Sequence, residues 1–252
     1  MHSNTDIPSG ARVGVVGAGR LGISLSRSLR AAGVHVEGPL GRGEAPGGCD
    51  AIVLCVPDGE IDAAVASVAG AAPLVGHTSG ATPLTALAPA RGAAFGLHPL
   101  QTFTGGDSDT FAGAGCAIAG STPEALAFAA GLARALGMTA FEIDDEGRAA
   151  YHAAASVASN FLVTLQAAAE RIAAGAGLEP AEARRLLLPL VRQTVENVAA
   201  HGPEPALTGP IARGDDATVA AQRQAVAEAA PELLDLFDAL VAHTRALAGA
   251  RA

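Results

Sequence analysis

The chain has 252 residues, a formal net charge of −9 and a composition that is half hydrophobic, rich in glycine and nearly free of aromatic rings. That length holds one large domain or two, and the acidic balance excludes the basic field that nucleic-acid binding needs. Three cysteines without C-x-x-C or zinc-finger spacing, and a polar start over Met1–Gly10, point to a reduced, cytoplasmic setting without a secretion signal.

The first predicted strand, Arg12–Val16, runs straight into Gly17-Ala18-Gly19-Arg20-Leu21-Gly22, and a helical pattern over Leu21–Ala32 follows and ends at Gly33. This is G-x-G-x-x-G between a strand and a helix, a context that sets a pyrophosphate on a helix N-terminus. Gly17 permits the tight turn, Gly19 lets the backbone approach the phosphates, and Gly22 lets helix and strand pack closely. Ala18, Arg20 and Leu21 complete the turn. Arg20 either leans on a phosphate or is solvated.

The next strand, Val34–Glu37, separates NAD from NADP. An acid at its end binds ribose hydroxyls, whereas an arginine accommodates a 2′-phosphate. Glu37 alone suits NAD. If the strand continues to Gly38, Glu37 turns away and Arg42, between Gly41 and Gly43, lies under the adenosine ribose. NADP is the favoured cofactor and NAD the alternative. A third strand, Ala51–Val56, ends in Cys55-Val56-Pro57-Asp58, placing Val56 and Pro57 near the nicotinamide half. Asp58 either faces the ligand or caps a helix over Ile61–Ala69.

Further strands are predicted at Leu74–His77, Ala93–Leu97, Gly115–Ala119 and Thr139–Ile143, with a helix over Pro123–Leu136. Pro123 and Glu124 behind Ser121-Thr122 make a strong helix start. The order implies an α/β fold with a mostly parallel sheet and helices on both faces. After Asp144-Asp145-Glu146 no strand follows. A long helix is expected from about Gly147 to Ala174. Its uncharged run, Ala149–Ala169, carries histidine, serine, asparagine and glutamine, so it reads as a buried helix and not as a membrane span. Another helix runs from Pro180, bent by Pro189, to His201. A loop over Leu207–Asp215 precedes helices at Asp216–Glu228 and Pro231–Leu247. The expected domains are therefore residues 11–146, dinucleotide-binding, and residues 147–252, all-helical, with alanine-rich surfaces that a second subunit completes as a homodimer.

Polar groups collect where strands end. They are His77-Thr78-Ser79-Gly80, His98-Pro99-Leu100-Gln101, and, on the long helix, Tyr151-His152, Ser156 and Ser159-Asn160. His152, Ser156 and Asn160 are spaced i, i+4, i+8 and would share one helix face. Such a stripe needs a partner if buried, either a ligand or a structural seam. Histidine suits proton transfer near neutral pH, and His98, directly after a strand, is the first candidate. His77 and His152 stand second. Their spacing is no zinc motif. Arg213 either reaches an anionic substrate group or braces its loop against Asp215 or Asp216, and Asp215 suits a helix cap.

On the fingerprint at Gly17–Gly22, Val56-Pro57-Asp58, His77-Thr78-Ser79-Gly80, His98-Pro99-Leu100-Gln101, Tyr151-His152-Ala153-Ala154-Ala155 with Ser159-Asn160, and Thr208-Gly209-Pro210-Ile211 with Arg213-Gly214-Asp215, the chain resembles a family of bacterial proteins. These join a Rossmann-like NAD(P) domain to a helical C-terminal domain, DUF2520. More distantly it is similar to 6-phosphogluconate and 3-hydroxyisobutyrate dehydrogenases, ketopantoate reductase and pyrroline-5-carboxylate reductase. The resemblance implies a 6-phosphogluconate-dehydrogenase-like helical domain that dimerises. Several of those enzymes carry Lys-x-x-x-Asn on the long helix. Asn160 matches the asparagine, while Ser156 stands in the lysine's place. His98-Pro99 is similar to the His-Pro of prephenate dehydrogenases, where the histidine works on the substrate hydroxyl.

The expected function is an NAD(P)-dependent oxidoreductase for a small, anionic metabolite held in the interdomain cleft. His98 acts as acid or base, with Ser79, His152, Ser156, Asn160 and Arg213 as further site residues. The alternative is a dinucleotide-binding sensor or assembly protein without turnover.

Overall fold

The structure is a computed structural model that describes residues 7, 10–106 and 110–250. The chain forms two compact units, Met1–Val157 and Ala158–Ala252. The first is built in the order β1 (Arg12–Val16), α1 (Arg20–Ala31), β2 (His35–Leu40), β3 (Ala51–Leu54), α2 (Ile61–Ser67), β4 (Leu74–His77), β5 (Ala93–Pro99), β6 (Gly115–Gly120), α3 (Pro123–Ala135), β7 (Thr139–Glu142) and α4 (Arg148–Ala158). Its seven strands lie in the order β2-β1-β3-β4-β5-β6-β7. The first five strands in this order are parallel, and β6 runs antiparallel to β5. The chain leaves β1 towards β2 on one side and returns to β3 on the other. Between the carboxyl ends of β1 and β3 it therefore opens the crevice in which doubly wound sheets bind ligands.

Both faces of the sheet are apolar. Val13, Val15, Val53, Phe95 and Leu97 pack against Leu25 and Leu29 of α1 and Phe128 and Leu132 of α3. On the other face Val16, Ile52, Leu54 and Val75 meet Ile61 and Val65 of α2 and Leu87. Burial on both sides explains why these strands read as unbroken apolar runs. Helix starts follow the sequence signals: Thr122 accepts the Ala125 N–H at 3.2 Å, and Asp144 accepts the Gly147 N–H at 2.7 Å just before α4. Cys49, Cys55 and Cys116 are free and buried, and burial pushes the Cys55 and Cys116 thiols up to about 12.

Three elements differ from expectation. β2 continues to Leu40, because Leu40 still pairs with Val16 and its carbonyl accepts the Gly17 N–H at 2.9 Å. β5 continues through Pro99, because the antiparallel β6 supplies Ala117 and Cys116 as partners for His98 and Pro99. His98 is thus inside a strand end and not in the loop after it. The long helix expected over Gly147–Ala174 is two helices, α4 and α5 (Asn160–Ala173), interrupted at Ser159 with φ −118° and ψ −69°. Ser156, Val157, Ser159 and Asn160 are weak helix formers whose side chains compete with or crowd the ladder, and the break falls among them. His152 and Ser156 therefore lie on one helix and Asn160 opens the next.

The second unit contains α5, α6 (Pro180–His201), α7 (Pro203–Ala206), α8 (Asp216–Ala229) and α9 (Leu234–Gly249). α6 runs on through Pro189. Asp215 caps α8 by accepting the Thr218 N–H at 3.1 Å. Among the described residues no helix is long and apolar enough to cross a membrane.

The tightest approach in the first unit is at Gly22. A Cβ there would sit 1.8 Å from the Gly17 carbonyl oxygen and 3.3 Å from Cys55 Cβ. Gly22→Ala must push α1 off the β1 turn, with an expected loss of about 1–3 kcal/mol in urea denaturation. An unchanged midpoint would show that α1 does not need this contact.

Candidate functional site

A pocket of about 390 Å³ occupies the crevice at the ends of β1 and β3. Gly17, Ala18 and Gly19 line it together with Arg42, Val56, Pro57 and Glu60. Gly17 is held by its surroundings, with φ +112° and a would-be Cβ 2.3 Å from the Cys55 carbonyl oxygen. Gly19 is different: a Cβ there would meet nothing within 4 Å. No protein contact requires a glycine at this position, so its bareness keeps space open in the pocket. Gly19 also precedes α1 with no side-chain cap, which leaves the helix's positive end and its first amides aimed at that space. The donor set fits a pyrophosphate. Arg20, Leu21 and Gly22 do not line the pocket. The Arg20 stem faces Gly105, Leu21 packs on the core and Gly22 shapes the turn.

At the end of β2 the two candidate ribose residues part company. Glu37 is engaged elsewhere, with Arg12 at 3.3 Å, the Gly47 N–H at 3.2 Å and the Cys49 thiol at 3.7 Å. Arg42 stands at the pocket's edge, 85% exposed, and pairs with Glu60 at 3.2 Å. That pair is too exposed to hold firmly. Asp58 begins a short 3-10 turn over Asp58–Glu60 and does not cap α2.

Along the same carboxyl edge, β4 and β5 bring a second group together. Parallel neighbours lie about 4.8 Å apart, so β5 is two strands beyond β3. The Tyr151 hydroxyl on α4 and His98 Nδ1 share a hydrogen bond at 2.5 Å whose direction follows the imidazole tautomer. The two rings meet edge to face at 5.4 Å, and Phe141 flanks Tyr151 at 5.9 Å. His152 lies 6.0 Å from His98. Gly80 wedges between the imidazoles, since a Cβ there would lie 2.8 Å from His152 Nδ1 and 2.9 Å from His98 Nε2. Ser79 holds that wedge in place. Its hydroxyl accepts the Ala81 and Thr82 N–H groups at 3.2 and 2.9 Å and donates to Thr82 Oγ1 at 2.9 Å. With those bonds made, Ser79 serves its own turn.

Behind this group lies a buried cation. Arg148, 2% exposed, donates from Nε to Asp145 at 2.8 Å. Asp145 also accepts the Leu84 N–H at 3.1 Å. The Arg148 Nη2 reaches over Gly96, where a Cβ would be 3.0 Å away. His77, 0% exposed, pairs in register with Gly96. Both its ring nitrogens, Arg148 Nη2 and His152 Nδ1 have no hydrogen-bond partner among the described residues. Burial, then Arg148, holds His77 down to about 4. Burial, then His152, then Arg148, brings His98 down to about 4. Burial pushes Tyr151 up to about 12. All three are neutral at pH 7.

The remaining predicted residues belong to α4 and to the second unit. Ser156 is half-buried on α4. Asn160 and Arg213 are exposed in the second unit, Arg213 in a short 3-10 turn over Ile211–Arg213. Sequence reasoning passed over Tyr151 as a site residue and Arg148 altogether. Tyr151 was visible as the chain's single tyrosine. Asp145-x-x-Arg148 gave no sign of burial. Among the described residues no three of His, Cys, Asp and Glu are placed to hold a metal ion.

The model of a family described as a domain of unknown function, DUF2520, matches residues 114–244, just over half of the chain. The chain belongs to the DUF2520 family. No curated protein matches it. A candidate NADP oxidoreductase from Bacteroides fragilis is 21% identical, covers 94% of this chain and 98% of its own, and superposes with a TM-score of 0.81. A Thermotoga maritima protein is 23% identical, with coverages of 95% and 99% and a TM-score of 0.74. Pyrroline carboxylate reductase from Plasmodium falciparum, with NADP bound, is 12% identical, with coverages of 94% and 98% and a TM-score of 0.58. The DUF2520 chain thus has the Rossmann-like fold of NAD(P)-binding oxidoreductases, followed by a helical region.

Two histidines with folded values near 4, against about 6.5 unfolded, give a signed prediction. Between these values the unfolded chain binds more protons, so stability falls as pH drops from about 6.5 towards 4 and is fully present above. Thermal melts should show this slope, and His77→Leu should reduce it. A slope unchanged by His77→Leu would mean that His77 is not buried neutral.

Proposed function

We propose that the chain is an NADP-dependent oxidoreductase that moves a hydride between the nicotinamide and a small, anionic metabolite. The observation that carries this reading is the pocket at the ends of β1 and β3, where Gly19 keeps open space before the uncapped N-terminus of α1. A pyrophosphate there would accept the amides of that first turn. Arg42, released from Glu60, would take the 2′-phosphate, and Glu37 is already engaged by Arg12, Gly47 and Cys49. Val56 and Pro57 would pack under the nicotinamide half. When bound, the nicotinamide supplies hydride chemistry. The chain supplies proton handling through His98, with His152 beside it and Ser79 holding the Gly80 turn. Arg213 remains the candidate for the substrate's anionic group, and Ser156 and Asn160 for its polar groups.

The reading includes a homodimer. Phe161, Val163, Leu186, Leu190 and Val195 of α5 and α6 are exposed apolar side chains that a second copy would cover. Sedimentation at micromolar concentration should find a dimer, and a monomer there would remove this part of the proposal.

The cofactor is tested with nicotinamide fluorescence, undisturbed because the chain has no tryptophan. NADPH should bind about tenfold or more tighter than NADH. Arg42→Ala should erase most of that difference and leave NADH unaffected, as expected for loss of a charge-assisted hydrogen bond. Absence of binding by either dinucleotide would overturn the reading.

A further inference from the structure

Among the described residues that line the pocket at the ends of β1 and β3, two carry charge, Arg42 and Glu60. They are paired, Arg42 Nη2 to Glu60 Oε1 at 3.2 Å. Neither side chain is committed to local structure. Glu60 directly precedes α2, yet its carboxylate makes no cap bond with that helix. Arg42 rides on a turn that closes without it, since the Gly41 N–H donates to the Glu44 carboxylate at 2.6 Å. The pair therefore serves no cap and no turn, and it stands on the pocket wall where a ligand's charge would be felt.

We propose that Glu60 is a specificity-determining residue that works against the 2′-phosphate of the dinucleotide. This rests on the NADP reading of the same pocket and deepens it. In the free protein the Glu60 carboxylate holds the guanidinium that a 2′-phosphate needs. A phosphate arriving at Arg42 displaces that carboxylate and then sits beside a like charge. A dinucleotide with a plain 2′-hydroxyl does neither, and the Arg42–Glu60 pair stays intact beside it. Glu60 thus limits the preference for NADPH that Arg42 alone would confer, and it keeps NADH a usable ligand.

The exposure of the pair sets the size of the effect. Arg42 is 85% and Glu60 40% exposed, so solvent screens their attraction and the contest is mild. The pair is a counterweight and not a gate. Glu37 takes no part, because Arg12 and the Gly47 N–H already hold its carboxylate. The acid that bears on the choice of dinucleotide therefore stands at the approach to α2, across the pocket from the strand whose end carries Arg42.

Glu60→Gln keeps the length of the side chain and a carbonyl for Arg42 while removing the charge. Dissociation constants of NADPH and NADH for the full chain and this variant decide the matter. At low salt NADPH should tighten about threefold or more, and NADH should change by less than about twofold. The gain should fade at about 1 M KCl, where the screening length is about 3 Å. Glu60→Ala should shift NADPH in the same direction. Competition with 2′,5′-ADP and 5′-AMP, which lack the nicotinamide, should show the gain for the first and none for the second. A purely structural role for Glu60 would move both dinucleotides together. Equal tightening of both, no tightening of NADPH, or a gain that high salt leaves intact overturns the proposal while the cofactor reading stands. Binding of neither dinucleotide by the unaltered chain overturns the cofactor reading, and this inference with it.

Discussion

The close seating of α1 on the ends of β1 and β3 is the constraint from which the site follows. Gly22 and Gly17 touch through a gap that no side chain can enter, and Gly17 rests on the Cys55 carbonyl. This contact fixes where α1 begins and in which direction its unpaired amides point. The strand order then does the rest. Because β1 and β3 are neighbours whose connections leave in opposite directions, their carboxyl ends frame a pocket. Because β4 and β5 continue the same parallel edge, their ends deliver Gly80 and His98 along a line that starts at the glycine turn.

The second station on that edge is a region of buried polarity. Arg148 has a single carboxylate partner, and His77 has none among the described residues. Groups of this kind are costly to bury. Burial does most to keep the imidazoles of His77 and His98 neutral, and the guanidinium adds to it by disfavouring any further positive charge. Gly96 makes the arrangement possible, since a side chain there would compete with Arg148 for the space over β5.

Much of this was legible in the sequence, and the reasons are particular. The strands showed because both faces of a parallel sheet are buried and each strand is an apolar run. The glycine turn showed because a positive φ at Gly17 and close packing at Gly22 admit only glycine at that spacing. The extension of β2 to Leu40 decided the position of Glu37, a register difference of a few residues that the open alternatives at Glu37 and Arg42 had allowed for. The break at Ser159 was hidden by alanine, which fits any helix face and so carries no phase. Ser79 looked like a ligand to substrate because a hydroxyl's partners in its own turn are set by backbone geometry. Arg148 was invisible because an arginine after three acids reads as a solvated surface pair, and only Gly96 on a distant strand makes room for its burial.

The claim on which the rest depends is that the bare turn at Gly17–Gly19 is a phosphate site continuous with the edge at Gly80. A crystal structure grown with saturating NADP⁺ tests it most directly. The expected density places the pyrophosphate against the first amides of α1, the 2′-phosphate at Arg42 and the nicotinamide beyond Pro57 towards Gly80. A dinucleotide bound elsewhere, or one whose nicotinamide points away from Gly80 and Tyr151, would contradict it.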